Sequence, residues 1–309
     1  MLERATGCKM VYLHDGSGVF PLALIRSRLF GDRLVSVPYS DRGGPCTLGE
    51  HDASGLVRQA HTAARETKVD FVEIRSPDEK HSPVLAEEGY IRRDDYFTYL
   101  LSLDRSAEDL WKGIGDKNRN MVRKAGRSGV QIRWGESEAD LRLFYALYCH
   151  TMKRLGSPPH PYRFFATMWE LFYPEGLLMP MAVHDQECIA AGLFSMYDGV
   201  IHHDFSCSLG KYLHLAPNNL IVWEVIEWGQ RHGCRLLDFG RTRENAGNEL
   251  FKRRWGGQRR SLPYYYRYYR GGPKARPEVA YGNLATFWRV CVPQPVADKV
   301  GPWIKGQIG

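Results

Sequence analysis

The chain carries an approximate copy of itself, and an internal repeat restricts the fold more than any single motif does. The first copy opens with Met10-Val-Tyr-Leu-His-Asp-Gly-Ser-Gly and Val19-Phe-Pro-Leu-Ala-Leu-Ile, the second with Met181-Ala-Val-His-Asp-Gln-Glu and Cys188-Ile-Ala-Ala-Gly-Leu-Phe. Each reads as strand, tight polar turn and strand, which is a β-hairpin. Another apolar strand and a helix follow in both. Gly55–Lys68 carries Leu56, Ala60, Ala63 and Ala64 at helical spacing. Its counterpart runs from Pro217 to His232, with proline in the first turn, where a missing N–H costs nothing, and Gly233 as the cap. A strand comes after each helix, Val69–Arg75 and Cys234–Arg241, so that Glu73 corresponds to Asp238. Both copies close on a basic-aromatic segment, Glu88–Phe97 and Trp255–Tyr264. The repeat predicts equivalent sheet positions for 69–75 and 234–241.

Hairpin, strand, long helix, strand and final strand describe a mixed sheet with helices on its faces. The expected fold class is therefore α/β (mixed α+β). The expected division is a first domain over 1–107, short at its N-terminus with no room before Met10 for a leading helix. A second domain over 108–270 contains a helical connector at 108–165, and a C-terminal arm follows over 271–309. In the connector, Lys117–Arg127 places Arg119, Arg123 and Arg127 on one helix face, and Ala139–Leu155 is an aromatic-rich helix ended by Ser157-Pro-Pro-His-Pro.

Lys117-Asn-Arg-Asn-Met-Val-Arg-Lys-Ala-Gly-Arg-Ser-Gly-Val resembles the segment that opens the second domain of FemAB-type transferases. Leu236-Leu-Asp-Phe-Gly-Arg, followed by Leu250-Phe-Lys-Arg-Arg-Trp-Gly-Gly, is similar to the closing motif of that family. Ser157-Pro-Pro-His-Pro, Ala216-Pro-Asn-Asn-Leu and Cys291-Val-Pro-Gln-Pro-Val-Ala-Asp-Lys-Val-Gly-Pro resemble a narrower branch associated with exosortase and exopolysaccharide systems. The likeness covers 108–309 by motif and 1–107 by architecture. It implies two tandem GNAT-like acyltransferase folds, each a mixed sheet flanked by helices. The implied activity is transfer of an acyl or aminoacyl group to an amine acceptor on a cell-envelope or polysaccharide precursor. The acyl donor is then aminoacyl-tRNA or acyl-CoA, and the partners are aminoacyl-tRNA and an amine-bearing envelope or sugar precursor. One rival reading is a CoA-dependent GNAT N-acyltransferase; another is a non-catalytic module that binds nucleic acid or an anionic glycan.

An acetyl-CoA enzyme needs a glycine-rich turn whose backbone N–H groups cradle a pyrophosphate at a helix N-terminus. In the second copy that place reads Leu209-Gly-Lys-Tyr-Leu-His-Leu-Ala-Pro-Asn-Asn, without those glycines. Asp41-Arg-Gly-Gly-Pro-Cys-Thr in the first copy has two, at a different spacing. The chemistry falls instead on Phe251-Lys252, since a fixed ammonium stabilises the oxyanion formed when an amine attacks an ester. The candidate catalytic residues are Lys252, Phe251 and Asp238. Arg241, Arg119, Arg123, Lys124, Tyr212 and Asn218 are the candidates for substrate binding. Lys252, lying in the run Lys252-Arg253-Arg254, is expected to be exposed, and the rival reading of that run is an ordinary basic surface. No metal is expected at His202-His203-Asp204, because neighbouring strand residues face opposite ways. Cys149-His150 do not face each other on a helix and make no dyad.

Composition adds a bias and some exclusions. A formal charge of +7 favours polyanionic partners. Seven cysteines dispersed without a Cys-x-x-Cys pattern fit reduced thiols. No apolar run is long enough to cross a bilayer, so the expected place is the cytoplasm; the arm reads as packed on its own domain, with peripheral contact at the inner membrane face as the alternative. That arm mixes Phe287, Trp288, Val290, Val292, Val296, Val300, Trp303 and Ile304 with Arg289, Lys299 and Lys305, and its prolines are expected to interrupt any long helix.

Overall fold

Lys9–His14 (β1) and Gly18–Ile25 (β2) pair antiparallel from Lys9↔Leu24 to His14↔Val19, forming the first hairpin of the repeat. In this computed structural model residues 1–308 are described, apart from 17, 29, 50, 51, 77, 78, 245 and 273–284. A five-residue helix, Leu2–Thr6 (α1), precedes β1. Arg33–Val35 (β3) continues the sheet, and Cys46–Thr47 (β4) pairs with the start of β2. Ser54–Glu66 (α2) buries Leu56, Val57, Ala60, Ala63 and Ala64 along one stripe and leads into Phe71–Ile74 (β5). Ser82–Glu87 (α3) and Ile91–Arg93 (β6) complete this stretch.

Phe97–Ser102 (β7), Ala107–Gly113 (α4), Asp116–Arg127 (α5), Gln131–Trp134 (β8), Glu138–Leu155 (α6) and Tyr162–Phe172 (α7) follow. A capping box between Ser137 and Asp140 starts α6, and Gly156 at φ 76° ends it. Next come Leu177–Leu178 (β9), Pro180–His184 (β10), Glu187–Tyr197 (β11) and Val200–Ser208 (β12). Asp185 and Gln186 both have positive φ, 48° and 65°, which is what a two-residue turn matched to strand twist requires. Pro217–Arg231 (α8) is buried around most of its circumference and is followed by Leu236–Asp238 (β13) and Glu249–Arg253 (α9). Gln258–Ser261 (β14), Tyr264–Tyr268 (β15), helical residues 285–291 (α10) and Gln294–Ile308 (α11) end the chain.

The two sheets repeat one pattern. The first has the order β1-β2-β3-β5-β15-β6 and the second β14-β7-β13-β12-β11-β10-β8. β3 and β5 are parallel and joined through α2; β12 and β13 are parallel and joined through α8. Glu73 and Asp238 each hold the last paired position of that parallel ladder, opposite Val35 and His202. The expected equivalence of 69–75 and 234–241 is therefore met in both sheets.

The final strand of each copy does not stay with its own sheet. β15, from the second copy, lies between β5 and β6; β7, from the first, lies between β13 and β14. One compact unit accordingly comprises Leu2–Phe97 with the strand Tyr264–Tyr268, and the other comprises Thr98–Arg260 with C-terminal residues as far as Pro302. Boundaries at 107 and 270 cut across this exchange, because alternating aromatics such as Tyr264–Tyr268 suit either sheet. Of the arm expected over 271–309, residues 273–284 and 309 lie outside the described residues. The rest is more helical than its prolines suggest: α11 runs for fifteen residues with Pro302 inside it.

Gly156 and Gly129 share φ 76°, but only at Gly156 would a Cβ meet backbone, 2.5 Å from the Ala285 oxygen. Gly129→Ala should cost about 1–2 kcal/mol from the left-handed conformation alone. Gly156→Ala should cost at least about 1 kcal/mol more through overpacking, read as a difference in denaturant midpoint. Equal costs would remove the close approach of 285 from the account.

Candidate functional site: a split in the second sheet

β12 is nine residues long, yet β13 pairs only with its first three, Val200, Ile201 and His202. Beyond His202 the strands part, and no described strand pairs with His203–Ser208 on that side. A bulge marks the parting. Leu193 pairs with Phe205 and Phe194 with His203, which leaves Asp204 extra. Its carboxylate accepts from the Ser195 N–H at 2.6 Å and contacts His202 Nδ1 at 3.0 Å. At the far end of β12, Thr151 on α6 satisfies the backbone of Ser208 in place of a neighbouring strand, through bonds of 2.9 and 3.1 Å.

One side of the split is closed by the start of α8. Asn218 donates to Ser208 Oγ at 3.4 Å, while its Oδ1 is buried without a hydrogen-bond partner among the described residues. The neighbouring Asn219 donates to Oδ1 of the buried Asn118 on α5, whose amide in turn donates to the Phe251 carbonyl at 3.5 Å. Three elements, α5, α8 and α9, are tied together by these two side chains.

The other side is the turn after β13. Asp238, 1% exposed, accepts from the Gly240 N–H at 2.9 Å and from the hydroxyl of Thr98 on β7. This fixes the turn so that the Gly240 and Arg241 carbonyls accept from Lys252 Nζ at 2.9 and 3.0 Å. Lys252 is 8% exposed, not on the surface as the basic run suggests. It sits in the short helix α9, which turns it inward while Arg253 points to solvent. Phe251, half-buried, packs edge-on against the fully buried Trp255 at 5.9 Å.

His203 lines the split, stacked on Phe194 at 4.4 Å, with Nε2 2.5 Å from Ser206 Oγ and Nδ1 buried without a hydrogen-bond partner among the described residues. Burial, and then the nearby Lys252 charge, push its pKa down to about 3, so the ring is neutral at pH 7. His202 and His203 thus hold different partners. Burial raises the Cys149 thiol to about 11, which leaves it protonated and unreactive at neutral pH.

Not every candidate gathers at the split. Arg241 is exposed and contributes its carbonyl there. Arg119 donates to the Trp111 and Lys112 carbonyls at the end of α4 and pairs with Asp116, which ties α5 to α4. Arg123 lies 5.3 Å over the Trp111 ring, and Lys124 is exposed one position on. Tyr212 bonds Glu187 at 2.6 Å. Asn118, Asn219 and Thr98 are the residues the sequence reading passed over, and it weighed His203 only as a metal ligand. Two adjacent asparagines opening an otherwise apolar helix were the available signal for Asn219; Thr98 and Asn118 carried none.

In the first unit the turn at Gly43 and Gly44 borders a cavity of about 300 Å³, also lined by Thr47, Ser76, Lys80 and His81. Gly44 has φ 140°, where a side chain would be strained and would press on Ser76.

Two mixed sheets with helical crossovers, the second opening between parallel strands at the start of a long helix, define a tandem acyltransferase architecture. Residues 116–253 match the acetyltransferase (GNAT) domain family. Over 250 residues, 74% of each chain, the sequence is 22% identical to a UDP-N-acetylmuramoylpentapeptide-lysine N(6)-alanyltransferase of Weissella viridescens. The fold is similar to that of FemX, with a TM-score of 0.67 at 13% identity over 92% of both chains. It is also similar to L-PGS from Bacillus licheniformis, with a TM-score of 0.63 at 13% identity over 94% of this chain and 90% of that one. Residues 116–253 thus form a GNAT domain, and the relative and the fold neighbours support a FemAB-like transferase.

A neutral buried histidine makes stability depend on pH with a defined sign. The unfolded chain binds a proton at His203 below about pH 6.5 and the folded chain does not until about pH 3, so stability is lost as pH falls through that window. Between pH 6.5 and 5 the loss should reach up to about 2 kcal/mol. His203→Phe should flatten that part of the curve in urea titrations at the two pH values. An unchanged slope would mean that His203 is protonated in the fold.

Proposed function

We propose that this protein moves an aminoacyl group from an aminoacyl ester, aminoacyl-tRNA, to a primary amine on a cell-envelope precursor. The observation that carries the reading is the Lys252 ammonium, buried beside the split and aimed by two carbonyls. When the amine attacks the ester carbonyl, charge develops on the carbonyl oxygen. A positive group already oriented in a dry site stabilises it without reorganising. The ester oxygen leaves as the tRNA hydroxyl, and the amine loses a proton as the amide forms. The named relative, an alanyltransferase acting on a lysine of a UDP-linked muramoyl pentapeptide, supports this class of donor and acceptor.

The turn between β12 and α8 favours that donor over acyl-CoA. It is filled by a 3₁₀ helix, Gly210–Leu215. The Tyr212 N–H already donates to the Leu209 carbonyl and the Ala216 N–H to the Leu213 carbonyl, while Pro217 has no N–H. Few backbone donors remain there to cradle a pyrophosphate. α5 instead offers Lys117, Lys124 and Arg127, exposed and in no ion pair among the described residues, on a helix whose Asn118 reaches Phe251. A cationic helix face of this kind suits an acceptor stem. On this reading the enzyme works in the cytoplasm beside the membrane whose precursors it modifies.

Supplying labelled aminoacyl-tRNA or labelled acetyl-CoA together with a lysine-bearing muramoyl peptide separates the donors. Label should pass from the tRNA to the amine, and Lys124→Glu with Arg127→Glu should weaken tRNA binding and make it less salt-dependent, by a slope of about 1.4–1.8. Transfer from acetyl-CoA alone would overturn the reading.

A further inference from the structure

The C-terminal helices pack inward through Trp288 and two small residues, Ala297 and Gly301, and carry a row of other large apolar residues outward. Among the described residues Trp288, Ala297 and Gly301 are buried in this arm, whereas Phe287, Val290, Val296, Val300 and Trp303 are exposed at 42–72%. The inward contacts leave no room for larger groups. A Cβ on Gly301 would lie 2.4 Å from Pro159, and Gly156 sits against the Ala285 carbonyl. Lys153 also holds α10 by donating to the Arg289 carbonyl at 2.5 Å. The arm is therefore fixed in place by its packed face, and the exposure of the other face is part of the fold.

The exposed residues are ordered. Val296, Val300 and Trp303 stand at i, i+4 and i+7 of α11 and form one stripe. Lys299 is flanking that stripe, and Arg289 lies between Phe287 and Val290 on α10, all three exposed. Asp298 is the one exposed acid among the described residues from 285 to 303; it lies about 160° from Val300 around the helix, away from the stripe, and is bonded by Gln294 at 2.7 Å. An apolar stripe ending in tryptophan, edged by cations and free of acids, is complementary to a surface with an apolar interior and negative head groups.

We propose that this face of α10 and α11 docks the protein on an anionic bilayer. The helices lie in the interface with Val296, Val300 and Trp303 inserted, while Lys299 and Arg289 contact lipid phosphates. No helix among the described residues is long and apolar enough to cross a membrane, so the attachment is peripheral and reversible. The proposal is independent of the transfer reaction, since none of these residues lies at the split.

The test is co-sedimentation of the full chain with vesicles of phosphatidylcholine alone or with 30%, on the order of bacterial content, phosphatidylglycerol. Wild type should pellet with the anionic vesicles and far less with the neutral ones. Val300→Glu combined with Trp303→Glu should weaken that binding at least about tenfold, with an unchanged circular dichroism spectrum and melting temperature. Lys299→Glu alone should weaken it less and reduce its salt dependence. Wild type remaining in solution with both vesicles, or the double variant binding as wild type does, would overturn the proposal. A wild-type dimer that the double variant converts to a monomer, without vesicle binding, would assign the face to a second copy of this chain instead.

Discussion

Three residue pairs hold β13 to β12, and the site of the second unit exists because the pairing goes no further. A longer parallel ladder would close the sheet over the space that His203, Asn218 and Lys252 now border. Parting two strands leaves backbone groups that must be satisfied in some other way. Thr151 supplies a donor and an acceptor to Ser208, and Asp238 binds the Gly240 amide. The bulge at Asp204 takes up the change of direction. These residues keep the split open at fixed dimensions. Asp238 therefore acts on Lys252 through the turn it builds, as a positioning residue.

Burying an ammonium is costly unless it is hydrogen-bonded. Two carbonyls compensate Lys252, and its charge makes protonation of His203 still harder. The pair thus settles into one arrangement, cationic lysine and neutral histidine. On the proposed reading this arrangement would supply positive charge to a developing oxyanion without proton uptake at neutral pH.

Much of this fold could be read from the residues, for reasons that differ by element. The hairpins, α2, α8 and the two crossover strands were legible because burial on one or both faces writes a periodic pattern into the chain. Even the correspondence of Glu73 with Asp238 held at the level of register. The exchange of β7 and β15 was not legible, since strand patterning records which face is buried and not which neighbour supplies the hydrogen bonds. Lys252 was found as a site candidate but misplaced at the surface. A basic run reads as solvated, and only the turn of α9 shows one of its three members pointing inward. Asn118 and Thr98 act through contacts across more than a hundred residues, and no local pattern announces such contacts. In the arm, the sequence showed mixed apolar and basic residues, but which of them turn inward depends on Gly156 and Pro159, far away in the chain.

Single-turnover transfer with Lys252→Met at saturating donor and acceptor tests the central claim most directly. The substitution removes the ammonium donor from the Gly240 and Arg241 carbonyls, leaving Gly240 with the Thr98 hydroxyl, so a stability loss of about 1–3 kcal/mol is expected and the rate must be referred to folded protein. With that correction the chemical step should slow by about a hundred- to a thousandfold, and Arg253→Met should stay close to wild type. A Lys252→Met enzyme that is folded and turns over at nearly the normal rate would contradict the account and leave the lysine a purely structural clamp.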